Sequence, residues 1–451
     1  MKLKQLIAIE RYISEKFEYI KKARRVENNT IELNFGGDDS LFFDMTRSRS
    51  TIYSAPSRRP AQDFSAPFDT LLHQLVSHSA ILSVEAGRDD RVMRFHLRPK
   101  SLYKERVVSL QFEFTGRYTN AILIDENETV IEALHHIDST KSFREIRPGV
   151  HLLPIPPRKT ERGEDTDTEI EDIDSFLKRN YEKLLESRMS TTRAKKLNLV
   201  KKKISTLQKR IRSLPDEESL KRKSLSLREK GNIVLSRLHE IESYDTELKT
   251  VDFEGNPVQI TLPEGIPKNR MGEYFFKQSA KASAKARSVH IERENLQGKL
   301  EFYLNLAQAV ESASDLHELE LLVPGRGRSR RKKEKMRDGE LYWIEGYKVM
   351  VGRNSSENRK LLSEARANDI WMHVRGIPSS HVIIRTDKRN LPETLLSSAA
   401  KLCVDFSIRQ PGDYEVDYTR RKFVKLQEGS NVEYDKYSTI TVSKEGIEIR
   451  E

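Results

Sequence analysis

The chain is almost without cysteine. Cys403 is the single one in 451 residues, which excludes a disulfide framework and a thiolate zinc site and leaves it the expected role of a small buried side chain. Long apolar runs are also missing. No stretch approaches the roughly 18 apolar residues that a membrane-spanning helix needs. The opening segment MKLKQLIAIERYISEKFEYIKK is broken by Glu10, Arg11 and Glu15, with no small-residue cleavage site behind it, unlike a signal peptide. A cytoplasmic protein with no membrane partner is expected. A GxxxxGK[ST] phosphate loop, a dinucleotide-binding glycine fingerprint and an HEXXH zinc motif are all absent, so neither a cofactor nor a metal is expected.

What the chain has in quantity is charge. Charged residues make up 33% against 36% hydrophobic, and the formal net charge is +11. Such a balance describes a protein with extended, solvated parts around modest cores. The basic excess points to an anionic partner, most simply nucleic acid.

The expected class is α+β with a long helical middle. Residues 1–158 read as one domain. Leu6, Ile7, Ile9, Tyr12, Ile13 and Phe17 form a helical stripe, and 68–79 reads as a second helix. Ile31, Leu33 and Phe35 alternate on a strand; 92–97, 107–114 and 121–126 are further strands, joined by polar links that favour antiparallel pairing. Four prolines between 148 and 157 close the domain, and 159–170 is an acidic linker. In 171–322, Leu197, Val200, Ile204, Leu207, Ile211 and Leu214 follow a 3-4-3-4-3 spacing, and Leu220, Leu227, Val234 and Ile241 continue at sevens beyond Pro215. Leu296, Leu300, Tyr303, Ala307 and Val310 form a second arm. Two heptad arms around a Gly- and Pro-rich insertion at 251–270 predict an antiparallel coiled-coil hairpin; a parallel dimer is the alternative. A basic linker, 323–338, includes the arm Arg326, Arg328, Arg330, Arg331, Lys332 and Lys333, either a solvated connector or a phosphate-binding segment. In 339–451 a hairpin turns at Gly346, a helix follows with Ser355 or Ser356 as its cap, and strands cover 369–374 and 380–385. A helix at 391–407 and two late strands complete this second α/β domain.

The stretch NDIWMHVRGIPSSHVIIR (368–385) carries the most chemistry. Ser380 beside His381 suggests a nucleophile and its base, but neighbours on a strand point to opposite faces. His373 and His381 are a potential metal pair, with Asp369 the one carboxylate at hand. The reading that fits better is RNA binding. Trp371 and His373 share a strand face, where planar rings stack on unpaired bases, and Arg353, Lys360, Arg366, Arg375 and Arg385 surround them as phosphate contacts. A buried tryptophan beside a structural histidine explains the same pattern. In the first domain, Asp89, Asp90 and Arg91 lie at a turn entering a strand; an Asp-Arg pair can read a base edge or position a sugar-phosphate backbone, and is also a common surface ion pair.

Several motifs, in order, resemble those of the NFACT family: VGRNSSENRKLL with Arg353, Asn354 and Asn358, then DIWMHV, IPSSHVII and VDYTRRKFVKL. The middle segments GNIVLSRL, VQITLPEGIPKNRMGEYFFKQSAKA and EFYLNL, and in the first domain Arg59-Pro60, Asp90-Arg91 and NAILIDEN, are similar as well. The resemblance implies an N-terminal NFACT-N domain, a coiled-coil hairpin and a C-terminal NFACT-R domain. It also implies a ribosome-associated quality-control factor. Such a factor binds large ribosomal subunits that hold a stalled peptidyl-tRNA and recruits tRNA, typically alanyl-tRNA in bacteria, for C-terminal tailing without mRNA. The ribosome would make the peptide bond, so the protein would not be an enzyme. The family's tRNA-recruiting pair falls on Asp90 and Arg91, with Arg59 grouped beside them; Arg353, Asn354, Asn358, Asp369, Trp371, His373, Ser380 and His381 are the RNA-binding candidates of the second domain.

Two departures stand out. The helix-hairpin-helix module usual between the first domain and the coiled coil is replaced by the acidic linker and a short helix, IDSFLKRNYEKLLE. The acidic residue of the family's first helix has no match, Lys4 and Gln5 falling nearest. The family's N-terminal fold also resembles formamidopyrimidine-DNA glycosylases, whose chemistry uses an N-terminal proline; Met1-Lys2 stands here, so glycosylase activity is not expected. Bacterial members often carry the label of fibronectin- or fibrinogen-binding protein, which makes a surface adhesin the alternative, and an RNA-binding scaffold without tailing a third.

Overall fold

The structure, a computed structural model, describes residues 1–87, 90–100, 106–140, 142–155, 170, 172–242, 245–325, 338–427 and 431–444. It divides into two compact units, Met1–Arg188 and Met189–Glu451.

In the first unit, helix α1 (Leu3–Lys16) buries Leu6, Ile9 and Ile13, one face at helical spacing. Strand β1 (Tyr19–Ile20) follows, and β2 (Lys22–Glu27), β3 (Thr30–Gly36), β4 (Asp39–Asp44) and β5 (Thr51–Ser54) form a four-stranded antiparallel sheet in chain order. After α2 (Pro67–Val76) come β6 (Ser79–Ala86), β7 (Val92–Pro99), β8 (Val108–Glu113), β9 (Asn120–Ile124) and β10 (Val130–Ala133). With β1 they form a six-stranded antiparallel sheet, order β1-β6-β7-β8-β9-β10. One core draws on both sheets and both helices; Phe43 stacks on Phe112 with ring centroids 4.1 Å apart.

Strand β8 alternates: Val108, Leu110 and Phe112 enter that core. Its polar face is not solvated, however. Ser109 bonds His96 at 3.0 Å, Gln111 accepts from Arg94 at 2.8 Å, and Glu113 accepts two bonds from Arg144, at 2.9 and 2.6 Å, in a pair that is 0–1% exposed. A charge buried this deeply is tolerable only when its partner is equally buried and fully bonded.

Helix α3 (Ile173–Arg212) is continuous through the segment read as a brief helix. Its first turns belong to the first unit: Leu177 enters the core, Tyr181 stacks on Tyr53 at 5.3 Å, and Arg188 donates to Glu27 at 2.8 Å. The remainder belongs to the second unit. The helix ends before Pro215, and α4 (Glu217–Ser236) restarts under Asp216, whose carboxylate accepts the Ser219 N–H at 3.0 Å. The strands β11 (Glu247–Val251) and β12 (Pro257–Thr261) form the small insertion, and α5 (Lys268–Ser312) returns antiparallel along both arms. Val200 is buried, with Leu197, Ile204 and Leu207 packed beside it; Ser224 and Ser279 bond across α4 and α5 at 3.1 Å. The heptad seams thus meet within one chain, as the hairpin requires.

After α6 (Leu316–Leu322), the second unit builds a sheet from β13 (Glu340–Ile344), β14 (Tyr347–Val351), β15 (Ile370–Val374), β16 (Val382–Arg385), β17 (Gly412–Arg420) and β20 (Ser438–Lys444), all antiparallel, order β13-β14-β16-β15-β17-β20. Helix α8 (Glu393–Ser407) and the end of α5 cover one face. Helix α7 (Ser355–Glu364) and the ribbon of β18 (Val424–Leu426) and β19 (Val432–Tyr434) cover part of the other. The first hairpin turns at Glu345 and Gly346, both at positive φ (49° and 83°), the geometry of a tight two-residue loop. The cap of α7 is Asn354, not Ser355 or Ser356: its side chain accepts the Glu357 N–H at 2.8 Å. The hairpin and this domain, separate in the sequence reading, cluster as one unit because α5 packs on α8. Among the described residues no helix is long and apolar enough to cross a membrane.

Candidate nucleic-acid interface

Two places gather the residues singled out in the sequence. The first is the turn before β7. The Asp90 carbonyl accepts the Val92 N–H at 2.9 Å, and Gly87 donates back to the Val92 carbonyl at 2.8 Å. A Cβ at Gly87 would stand 2.9 Å from the Asp90 oxygen, so the turn closes only over a glycine. Asp90 and Arg91 are half-buried. Arg91 Nη1 donates to the Met1 carbonyl at 3.0 Å, and burial together with that guanidinium lowers the pKa of the Met1 amino group. Arg59 is exposed on the loop after β5, while its neighbour Arg58 is tied to Glu27 at 2.6 Å. Asp89 lies outside the described residues, as does the basic arm Arg326, Arg328, Arg330, Arg331, Lys332 and Lys333.

The second place is a cleft of about 510 Å³ in the second unit, between α5, the start of α7, the loop 376–381 and the strand β19. It gathers six of the eight candidates: Arg353, Asn354, Asn358, His373, Ser380 and His381. The architecture explains the convergence. Asn358, on α7, donates to the Ser379 carbonyl at 3.1 Å and accepts the His381 N–H at 3.1 Å, which pins the loop to the helix. Asn354 caps that helix and donates to the Asn295 carbonyl of α5 at 3.0 Å. Cys403 is fully buried beneath the loop, 3.2 Å from the Ser380 carbonyl, and burial pushes its thiol up to about 12; it remains a thiol at neutral pH.

Trp371 lies below the cleft rather than on a surface. It is fully buried, with His373 lying parallel to it at 5.6 Å and 7°. His381 meets both rings edge-on, at 5.5 and 5.3 Å. Burial lowers the His373 pKa to about 4; burial and then the neighbouring His373 lower that of His381 to about 3. Both imidazoles are therefore neutral at pH 7. Asp369 is a structural residue: fully buried, it accepts the Thr386 and Arg366 N–H groups at 3.0 and 2.8 Å and faces Arg385 at 3.5 Å. Among the described residues no group of three or more His, Cys, Asp or Glu could hold a metal.

The cations expected to hold phosphates are committed within the protein. Arg353 is forked onto buried Glu357 at 2.7 and 2.8 Å, Arg375 onto Asp417 at 2.6 and 2.9 Å, and Lys360 pairs with Asp338. Arg366 stands 3.8 Å from Asp387. Such pairs hold the loops in place; any phosphate contact would compete with them. Sequence reasoning missed Phe302, Asn305 and Tyr434, which also line the cleft. They lie on α5 and β19, far along the chain from 368–385, and nothing local links them.

The description NFACT N-terminal and middle domains matches residues 17–185 and 155–324, and the NFACT protein RNA binding domain matches 341–431. The Rqc2 homolog RqcH of Bacillus subtilis (strain 168) is 25% identical over 511 aligned positions, spanning 87% of this chain and 86% of that protein. The Rqc2 homolog RqcH of Streptococcus pneumoniae serotype 2 is 22% identical, spanning 77% and 78%. A solved structure of the N-terminal part of the fibronectin/fibrinogen-binding protein of Streptococcus suis is 22% identical, covering 35% of this chain and 61% of that one at a TM-score of 0.32. The chain belongs to the NFACT family, with the family's N-terminal and middle domains followed by its RNA-binding domain.

Proposed function

We propose that the protein is a cytoplasmic, ribosome-associated quality-control factor. It binds obstructed large ribosomal subunits that still carry peptidyl-tRNA and recruits tRNA, alanyl-tRNA in this reading, for tailing of the stalled chain. The observation that carries the proposal is the order of N-terminal, middle and RNA-binding domains, with similarity to RqcH along 87% of the chain. The basic character of the middle supports it: α3 alone holds 13 Lys and Arg against 3 Asp and Glu. A helix so charged is suited to lie along a phosphate backbone. Peptide bonds would be made by the ribosome, with this protein positioning tRNA.

The turn at Asp90 and Arg91 is the proposed tRNA contact. The test is co-sedimentation with large subunits and recovery of the bound tRNA. Asp90→Ala combined with Arg91→Ala should abolish tRNA recovery and leave subunit binding largely intact. Because Arg91 also holds the Met1 carbonyl, Asp90→Ala alone is the cleaner variant and should act in the same direction. Unchanged tRNA recovery from both would remove the turn from the mechanism.

A further inference from the structure

We infer that the cleft over His373 and His381 receives one unstacked nucleobase of a bound RNA strand. The inference rests on the RNA-binding reading above and specifies where a base goes. Three observations carry it. The cleft's floor is aromatic: His373 lies parallel to the buried Trp371, ring centroids 5.6 Å apart, with His381 and Tyr434 around them. Two polar atoms there have no hydrogen-bond partner although buried, Trp371 Nε1 and His381 Nδ1, and His381 lines the cleft while being 1% exposed. An unsatisfied buried group of this kind is a cost that a ligand's hydrogen-bonding edge would remove.

The third observation is charge. The carboxylate and guanidinium that line the cleft are both already paired, Glu301 with Arg409 at 2.7 Å and Arg353 with Glu357 at 2.7 Å. Asn354 and Asn358 spend their amides on the protein. What remains is a neutral, ring-lined space with an unmet hydrogen-bonding atom. That suits an uncharged planar ring with polar edges and does not suit a phosphate. A volume of about 510 Å³ admits such a ring with its sugar. Bases of a single strand, unlike those in a duplex, are free to enter.

The test compares two ten-nucleotide RNAs of equal charge, an adenosine decamer and an abasic ribose-phosphate decamer, on the full chain. The wild type should bind the adenosine decamer about tenfold more tightly, the order expected for one stacked base. In His381→Phe, which keeps a ring but removes the nitrogen, that gap should shrink severalfold. Ile377, at the cleft and 37% exposed, allows a variant outside the core. Ile377→Arg should close the gap by blocking the cleft while the abasic decamer binds as well or better, because a positive charge has been added. A gap that survives both variants, or no gap in the wild type while both decamers bind, would overturn the inference and leave the RNA-binding reading standing. Failure of both decamers to bind would overturn the inference and the RNA-binding reading together. Free adenosine that binds as tightly as the decamer, with the same loss in Ile377→Arg, would make the ligand a free nucleoside and overturn the assignment to RNA.

Discussion

At the scale of single residues, the second unit carries two histidines held neutral in its interior. Their ordinary pKa is about 6.5, and in the folded protein burial lowers them to about 4 and about 3. Below pH 6.5 the unfolded chain takes up protons that the folded chain refuses, so stability is full above that value and is lost as pH falls toward 4. At pH 5 the loss is about 2 kcal/mol for each histidine. Thermal unfolding at pH 7 and pH 5 checks this. His373→Phe with His381→Phe should flatten the difference relative to wild type; an unaltered difference would show that other groups set the acid sensitivity. The residue scale is also where sequence reasoning reached least. Asp369 directly precedes the strand that Trp371 and His373 share, yet Asp369 holds a loop and Trp371 fills a core. Alternation places Trp371 and His373 on one face correctly, but it cannot say that α7 and the β18–β19 ribbon cover that face.

At the scale of elements, the sequence was most legible where a period repeats. The heptads of α3 and α5 and the strands β7, β8 and β9 each lie where expected. Strands β2 and β6 were not seen; KARRVE carries few apolar residues and owes its place to neighbours. The same limit hid the true cap of α7, since Asn354, Ser355 and Ser356 are all good caps by type. The hairpin has its own weak point. Gly231 on α4 faces Phe276 on α5 so closely that a Cβ would stand 2.9 Å from the ring. Gly231→Leu should wedge the two helices apart and cost about 1–3 kcal/mol. Protease cleavage within 217–290, compared with the wild type, reports it; equal resistance would show that the helices reseat without loss.

At the scale of the whole molecule, two cores are joined in sequence by a strongly basic helical segment, and the net charge is +11. If phosphates dominate binding, affinity for RNA falls steeply with salt. For about six contacts the drop is roughly a thousandfold between about 50 and about 200 mM. Filter binding across that range measures it; a flat profile would remove the electrostatic part of the account. The cleft then adds selectivity for unpaired bases to an affinity that the helices supply.

The most direct measurement is recovery of the tagged protein from cells at moderate salt, with sequencing of the RNA that comes with it. The account predicts large-subunit ribosomal RNA together with one enriched tRNA family, whose identity names the amino acid added. Large-subunit RNA without a selective tRNA would contradict tailing and leave a ribosome-binding scaffold. No RNA enrichment would contradict the account as a whole, and exposure of the protein on intact cells would then point to an adhesin.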